Sequence, residues 1–319
     1  MAIISNCTAS VIKDAALALK KGHLVSFPTE TVYGLGADAT NERAVSRIYE
    51  VKGRPKDHPL IVHISSMELL DLWASEIPEY AVQLARSFWP GPMTLVLPRT
   101  NLAKDFITGG QDTVAVRVPS HALAQHLLKE FETQGGTGVV APSANRFGKV
   151  SPTISEAVEE ELGNFLSESD QILDGGPSQI GIESTIIDCT QNIPRILRSG
   201  GTTFEMIKDV LPIKLRKYNP RINNLRVPGL IRNHYAPRAE VKLSGVPKEG
   251  DGFIALDKVP TPSGAIRLGK PKDVRQFAQM LYSLLRQADS MELKRVFVVT
   301  PQQQGLWVAI NDRLNRMKS

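Results

Sequence analysis

The sequence predicts an α/β protein: a mixed sheet clad by helices, followed by a second, smaller α/β unit. Three observations lead there. The chain has 319 residues, more than one typical core accommodates. Its first two thirds alternate Val/Ile/Leu-rich runs with helix-period segments, as strands covered on both faces do. Its composition, 42% apolar and 22% charged, is that of a globular protein able to bury real cores.

Taken in order, the strand-like runs are 24–27, 60–64, 94–97, 114–118, 139–141, 172–174, 184–188 and 195–198. Helical spacing occupies 11–20, 41–51 and 121–131 between them. Thr153-Ile154-Ser155-Glu156 has capping-box spacing and predicts a helix start. The first domain is placed at 1–208. A connector, 209–238, follows; its stretch from Leu211 to Arg238 carries Lys214, Arg216, Lys217, Arg221, Arg226, Arg232 and Arg238 but no acid. Pro212, Pro220, Pro228 and Pro237 break any helix there, and irregular loops of such length are commonly functional. The second domain, 239–319, offers strands at 253–256 and 296–300 and a final helix at 306–317. Its Val274, Phe277, Ala278, Leu281 and Leu285 form an apolar stripe at helical spacing, read as core.

Several function classes are set aside. No apolar run approaches the roughly 20 residues that span a bilayer, and the N-terminus lacks signal-peptide character. Cys7 and Cys189 are the only cysteines, too few for a zinc cluster or a disulfide framework. The chain thus reads as cytoplasmic and reduced, without a membrane partner. Gly264-Ala265-Ile266-Arg267-Leu268-Gly269-Lys270 fits a phosphate loop until Pro271, which has neither a hydroxyl nor an N–H to offer. Gly34-Leu35-Gly36 lacks the third glycine of a dinucleotide fingerprint, and no serine sits in a nucleophile elbow. His58 and His63 have no cysteine or metal-spaced carboxylate beside them. The net charge of +5 permits anionic partners such as nucleotides or RNA, and equally a mildly basic surface with no partner.

Polar residues gather where the strands end. Phe27-Pro28-Thr29-Glu30-Thr31-Val32-Tyr33-Gly34 is one such stretch, and Lys52-Gly53-Arg54-Pro55-Lys56-Asp57-His58, leading to His63, is another. Asp112 to Pro119, Ala141-Pro142-Ser143-Ala144-Asn145, Ser151-Pro152-Thr153, Glu183-Ser184-Thr185 and Arg198-Ser199-Gly200 complete the set. Ligands of open α/β sheets bind beyond strand ends, where loops converge. Lys52, Arg54 and Lys56, stiffened by Pro55, suit a polyphosphate. The hydroxyl and amide residues suit a ribose, a base or an amino-acid head. Each also has a plain structural reading: a solvated charge run, an ion pair at Arg117, turn residues at Ser143 and Asn145, an interior His63.

In order and spacing these stretches resemble the YrdC-type threonylcarbamoyl-AMP synthases. Pro228-Gly229-Leu230-Ile231-Arg232-Asn233-His234-Tyr235-Ala236-Pro237 is similar to the connector of their long, two-domain form. The resemblance implies a YrdC-like twisted mixed sheet whose helices form a concave site, and a smaller Rossmann-like C-terminal domain. It implies L-threonine held by Thr31, His63, Arg117, Ala141 and Ser184. ATP would be held by Lys52, Arg54, His58, Thr113, Ser143, Asn145, Ser151 and Arg198, with Tyr235 folding over the nucleotide.

The implied reaction joins threonine, bicarbonate and ATP, with Mg2+ on the phosphates, into threonylcarbamoyl-AMP and pyrophosphate. The product would serve threonylcarbamoyladenosine formation in tRNA through a downstream transfer machinery, with tRNA itself a weak contact. No protein side chain is expected to hold a metal. Two rivals predict different behaviour. An RNA-binding module predicts salt-sensitive RNA binding without turnover. An O-carbamoyltransferase component calls for a His-rich metal domain, whereas the segment from Ala239 contains no histidine.

Overall fold

The apolar runs become the strands of one 11-stranded mixed sheet, and the C-terminal runs those of a separate 4-stranded parallel one. The computed structural model describes residues 3–6, 8–211, 215–217, 225–229, 236–300 and 303–317. The first sheet comprises β1 (Ile3–Asn6), β2 (Val25–Phe27), β3 (Gly34–Asp38), β4 (Ile61–His63), β5 (Met93–Pro98) and β6 (Thr113–Arg117). It continues with β7 (Val139–Val140), β8 (Gln171–Asp174), β9 (Thr185–Asp188), β10 (Arg195–Arg198) and β11 (Arg216–Lys217). The second holds β12 (Glu240–Lys242), β13 (Gly252–Ile254), β14 (Ile266–Gly269) and β15 (Arg295–Val298).

The spatial order of the first sheet is β1-β8-β2-β3-β7-β4-β6-β5-β9-β10-β11. Its centre positions the site. β4 runs parallel to β6, with His63 opposite Arg117, while β7 lies antiparallel on the other side of β4. β3 was not foreseen, because Gly34-Leu35-Gly36 is not an apolar run of the kind that marks a strand. Gly36 is there for packing: a Cβ would lie 2.8 Å from the Phe27 ring and 2.9 Å from the Val25 carbonyl. This strand forgoes β-propensity to let its neighbours close over it.

Helix Glu42–Lys52 is capped by Asn41, whose side chain accepts from the Ala44 N–H at 3.1 Å, and ends at Gly53 with φ of 61°. That left-handed C-cap turns the chain into the Arg54 loop. Helix Ser155–Leu162 begins where the capping box predicted, but without the box. The cap residue is Ile154 with no side-chain bond, and Ser155 Oγ bonds Glu156 instead. The phosphate-loop-like stretch becomes β14 and its flanks.

The second domain stacks helices Val274–Ser290 and Leu306–Met317 on its sheet, burying Phe277, Leu281, Leu285, Trp307 and Leu314. Val32, Val150 and Ile182 of the first domain belong to that same core. The contact is close enough that a Cβ on Gly181 would lie 2.4 Å from Gln279 Cα. No described helix is long and apolar enough to cross a membrane.

Candidate functional site

The ends of the central strands and the loops after them line one pocket. Its walls are Thr31, Val32, Arg54, Ile61, His63, Arg117, Ala141, Pro142, Ser143, Glu183, Ser184, Arg198, Pro228 and Gly229. Arg54, Arg117 and Arg198 thus face one space.

Arg117 is fixed by three hydrogen bonds to the protein. Its Nη2 donates to Glu30 Oε1 at 2.6 Å, its Nη1 to Thr31 Oγ1 at 3.0 Å and its Nε to the Gly91 carbonyl at 3.2 Å. The second Glu30 oxygen accepts from the Ser120 N–H at 3.0 Å. Thr31 is steadied in turn by Thr29, their hydroxyls 2.8 Å apart. Next to Arg117 in register, His63 is buried, and desolvation together with the guanidinium charge pushes its imidazole down to about 3. It is therefore neutral at physiological pH.

The opposite wall is β9 and β10. Ser184 shares a 2.8 Å hydrogen bond with Thr94. Arg198 donates to the Ser184 carbonyl through Nε and Nη2 (3.1 and 2.9 Å) and to the Ser184 hydroxyl at 3.1 Å. Its Nη1 reaches the Pro228 carbonyl at 3.0 Å, tying the connector to the wall. Val227 joins a small core with Ile61, Val96 and Leu197, and Arg226 donates to the carbonyls of Asp57 and Gly109.

Of the residues singled out in the sequence, Thr31, His63, Arg117, Ala141, Ser184, Arg54, Ser143 and Arg198 line this cavity. Lys52, His58, Thr113, Asn145 and Ser151 stand outside its lining. Lys52 is 2% exposed and donates to the Ser143 and Asn145 carbonyls at 2.6 and 2.5 Å. Burial, then the charge of Arg54, pulls its ammonium well below the usual lysine range. Asn145 holds the same loop from within, donating to the Arg146 and Lys149 carbonyls. His58 lies tilted on the Phe147 ring at 5.4 Å, and burial with the Arg54 charge lowers its pKa. Thr113 begins β6, about 13 Å from Arg117 at the usual rise per residue. Tyr235 lies outside the described residues.

Two carboxylates escaped the sequence reading as site residues, Glu30 and Glu183. Glu183 is the sole carboxylate of the described lining, and it accepts from Ser151 Oγ, Tyr282 and Arg313. The available signal was a lone acid inside an apolar run, Gly181-Ile182-Glu183-Ser184-Thr185-Ile186-Ile187, with no cation nearby in sequence. Among the described residues no cluster of His, Cys, Asp or Glu could hold a metal ion.

Comparison with known proteins agrees with this architecture. The Sua5/YciO/YrdC family, described as telomere recombination, matches residues 17–200. The threonylcarbamoyl-AMP synthase C-terminal domain matches 202–317. A threonylcarbamoyl-AMP synthase of Pyrococcus abyssi is 40% identical, the alignment spanning 96% of this chain and 93% of that protein. Another, of Bacillus subtilis, is 38% identical over 95% and 91% of the two chains. The crystal structure of Pyrococcus abyssi Sua5 complexed with L-threonine superposes with a TM-score of 0.87 at 38% identity, covering 99% and 96% of the chains. Escherichia coli YciO shares the fold alone, at a TM-score of 0.54 and 22% identity.

Proposed function

The chain belongs to the threonylcarbamoyl-AMP synthase family, and we propose that it makes threonylcarbamoyl-AMP from L-threonine, bicarbonate and ATP. The observation that carries the reading is that Arg54, Arg117 and Arg198 converge on one cavity that also presents Thr31, His63 and Ser184. An amino-acid carboxylate fits the pinned guanidinium of Arg117, and the triphosphate fits Arg54 and Arg198.

Threonine's ammonium must first lose a proton. That proton goes to bicarbonate, which breaks down to CO2 and water; the amine nitrogen then bonds the CO2 carbon and releases a second proton to solvent, giving an N-carboxylate. One oxygen of that carbamate attacks the α-phosphorus of ATP as the bond to pyrophosphate breaks. The carbamate is already an anion, so no Ser, Cys or His nucleophile is required. The protein's part is orientation and stabilisation of the charge that builds on the phosphates. Magnesium would be carried by the ATP phosphates, since Glu183, the sole carboxylate of the described lining, is engaged with protein donors. Neutral His63 beside Arg117 keeps the amino-acid end from carrying a second positive charge against the substrate nitrogen. Pro228 and Gly229 wall the cavity, so the connector that carries Tyr235 is suited to shield a hydrolysis-prone intermediate from water. Lys52, Asn145 and Ser151 serve the nucleotide by shaping the loops that meet it. The product is consumed by a threonylcarbamoyl-transfer machinery acting on tRNA in the cytoplasm.

The test is incubation with ATP, bicarbonate and each amino acid in turn, following pyrophosphate. Threonine-dependent release should fall by orders of magnitude in Arg54→Ala with the fold intact. Release that ignores the amino acid supplied, or RNA binding without turnover, defeats the reading.

A further inference from the structure

Glu183 is an odd wall for a cavity that takes polyanions. It is 6% exposed, and its carboxylate stands among Ser151, Ser184 and Arg198. Left to itself, a buried negative charge there would repel a triphosphate. Its partners come from the other domain. Arg313, wholly buried in helix Leu306–Met317, donates from Nε to Glu183 Oε2 at 2.7 Å. Tyr282, wholly buried in helix Val274–Ser290, donates its hydroxyl to the same carboxylate at 3.0 Å. Arg313 also donates from Nη2 to the Ser199 carbonyl at 3.0 Å, next to Arg198. Arg313 also pairs with Asp312, which Arg316 shares at 2.8 Å.

We propose that Arg313 and Tyr282 of the C-terminal domain are positioning residues of the active site, which hold and neutralise the Glu183 carboxylate so that the wall formed by Glu183, Ser184 and Arg198 accepts a nucleoside triphosphate. The C-terminal domain then contributes to the chemistry through a defined polar contact, besides any covering role of the connector. Burial pushes the Glu183 carboxyl up, but Arg313 and then Arg198 outweigh it and bring it to about 2, as a charge held by cations should behave. The inference rests on the proposed function for the identity of the triphosphate.

The arrangement discriminates between substrates. ATP is a polyanion, whereas threonine enters as a zwitterion without net charge, so an unpaired Glu183 should hurt ATP far more. In the full-length chain, Arg313→Gln is expected to raise the KM for ATP at least about tenfold while the KM for threonine moves less than about threefold. Removing the opposing charge as well, in Glu183→Gln/Arg313→Gln, should return the ATP KM to near the wild-type value. A merely structural Arg313 would give the reverse: a double variant no better than the single one, with both KM values and kcat degraded together. That result, or an unchanged ATP KM in Arg313→Gln, overturns the proposal. Should Arg313→Gln fail to fold, Tyr282→Phe keeps the ring in its core and removes only the hydroxyl. It is expected to raise the ATP KM by a small factor at unchanged melting temperature, and no change overturns the proposal. Calorimetric titration of the same variants with ATP alone separates the two readings. Wild-type chain that binds ATP but releases no threonine-dependent pyrophosphate defeats the function. Variant affinities for ATP equal to wild type defeat the positioning role.

Discussion

The two arginine walls of the cavity are built on different plans. Arg117 is held by Glu30, Thr31 and Gly91, all from the first domain and all within hydrogen-bond reach. Arg198 is held by Ser184 beside it and by Pro228 of the connector, while neighbouring Glu183 is gripped by Tyr282 and Arg313 of the second domain. One wall is complete within the N-terminal sheet; the other needs three parts of the chain in place. The difference suits their ligands. On the proposed assignment, a small zwitterion would be bound by a rigid fork, whereas a long polyanion would have to be let in and then enclosed.

The largest effect should come from breaking the self-contained wall. Arg117→Gln is expected to lower threonine-dependent pyrophosphate release by about 100-fold or more, the range for removing a charged, pre-oriented donor. It also strands Glu30, 2% exposed, without its cation. Losing one partner of a buried pair costs about 3–5 kcal/mol, so thermal unfolding should be followed in parallel. Glu30→Gln in the same background should recover stability and leave activity low. Recovery of activity together with stability would mean that Arg117 is an ion-pair partner and nothing more.

A second effect sharpens the same wall by pH. The His63 imidazole lies at about 3 in the folded chain against an ordinary 6.5, first through desolvation and then through the Arg117 charge. Between those values the unfolded chain binds a proton that the folded chain refuses. Stability attributable to His63 is therefore intact above pH 6.5 and falls as the pH drops toward 3, by up to about 1.4 kcal/mol per pH unit. Urea midpoints at pH 7 and pH 5 should differ less in His63→Gln than in wild type. Equal differences would place a charged imidazole in the folded protein.

The same contrast explains what could be seen in the sequence. Strand ends and their polar residues were legible because period and composition are local: β2, β4, β5, β6 and β10 fall where apolar runs predict them. The self-contained wall was legible for that reason, since Thr31, His63 and Arg117 each sit at or beside a strand end. β3 was not, because its glycines answer to the Phe27 ring, a neighbour that only the fold supplies. Within the cationic run, spacing could not say which charge would face the cavity. Lys52 closes a helix and turns inward onto the 143–145 loop, Arg54 follows the left-handed Gly53 into the site, and Lys56 is exposed. The role of Glu183 was hidden, its cation lying 130 residues away.

Ser151 offers the finest cut between the two plans and the smallest expected effect. Its hydroxyl donates to Glu183 Oε1 at 2.8 Å, and it is absent from the cavity lining. If it serves the nucleotide by steadying Glu183, then Ser151→Ala removes one of several donors to a carboxylate that keeps Arg313 and Tyr282. A hydrogen bond of that kind contributes about 1 kcal/mol net, so the KM for ATP should rise about fivefold, with kcat and the KM for threonine unmoved. A loss of about 100-fold in kcat would instead mean that the hydroxyl leaves Glu183 and reaches the phosphates during the reaction. In that event the shared wall rearranges on binding.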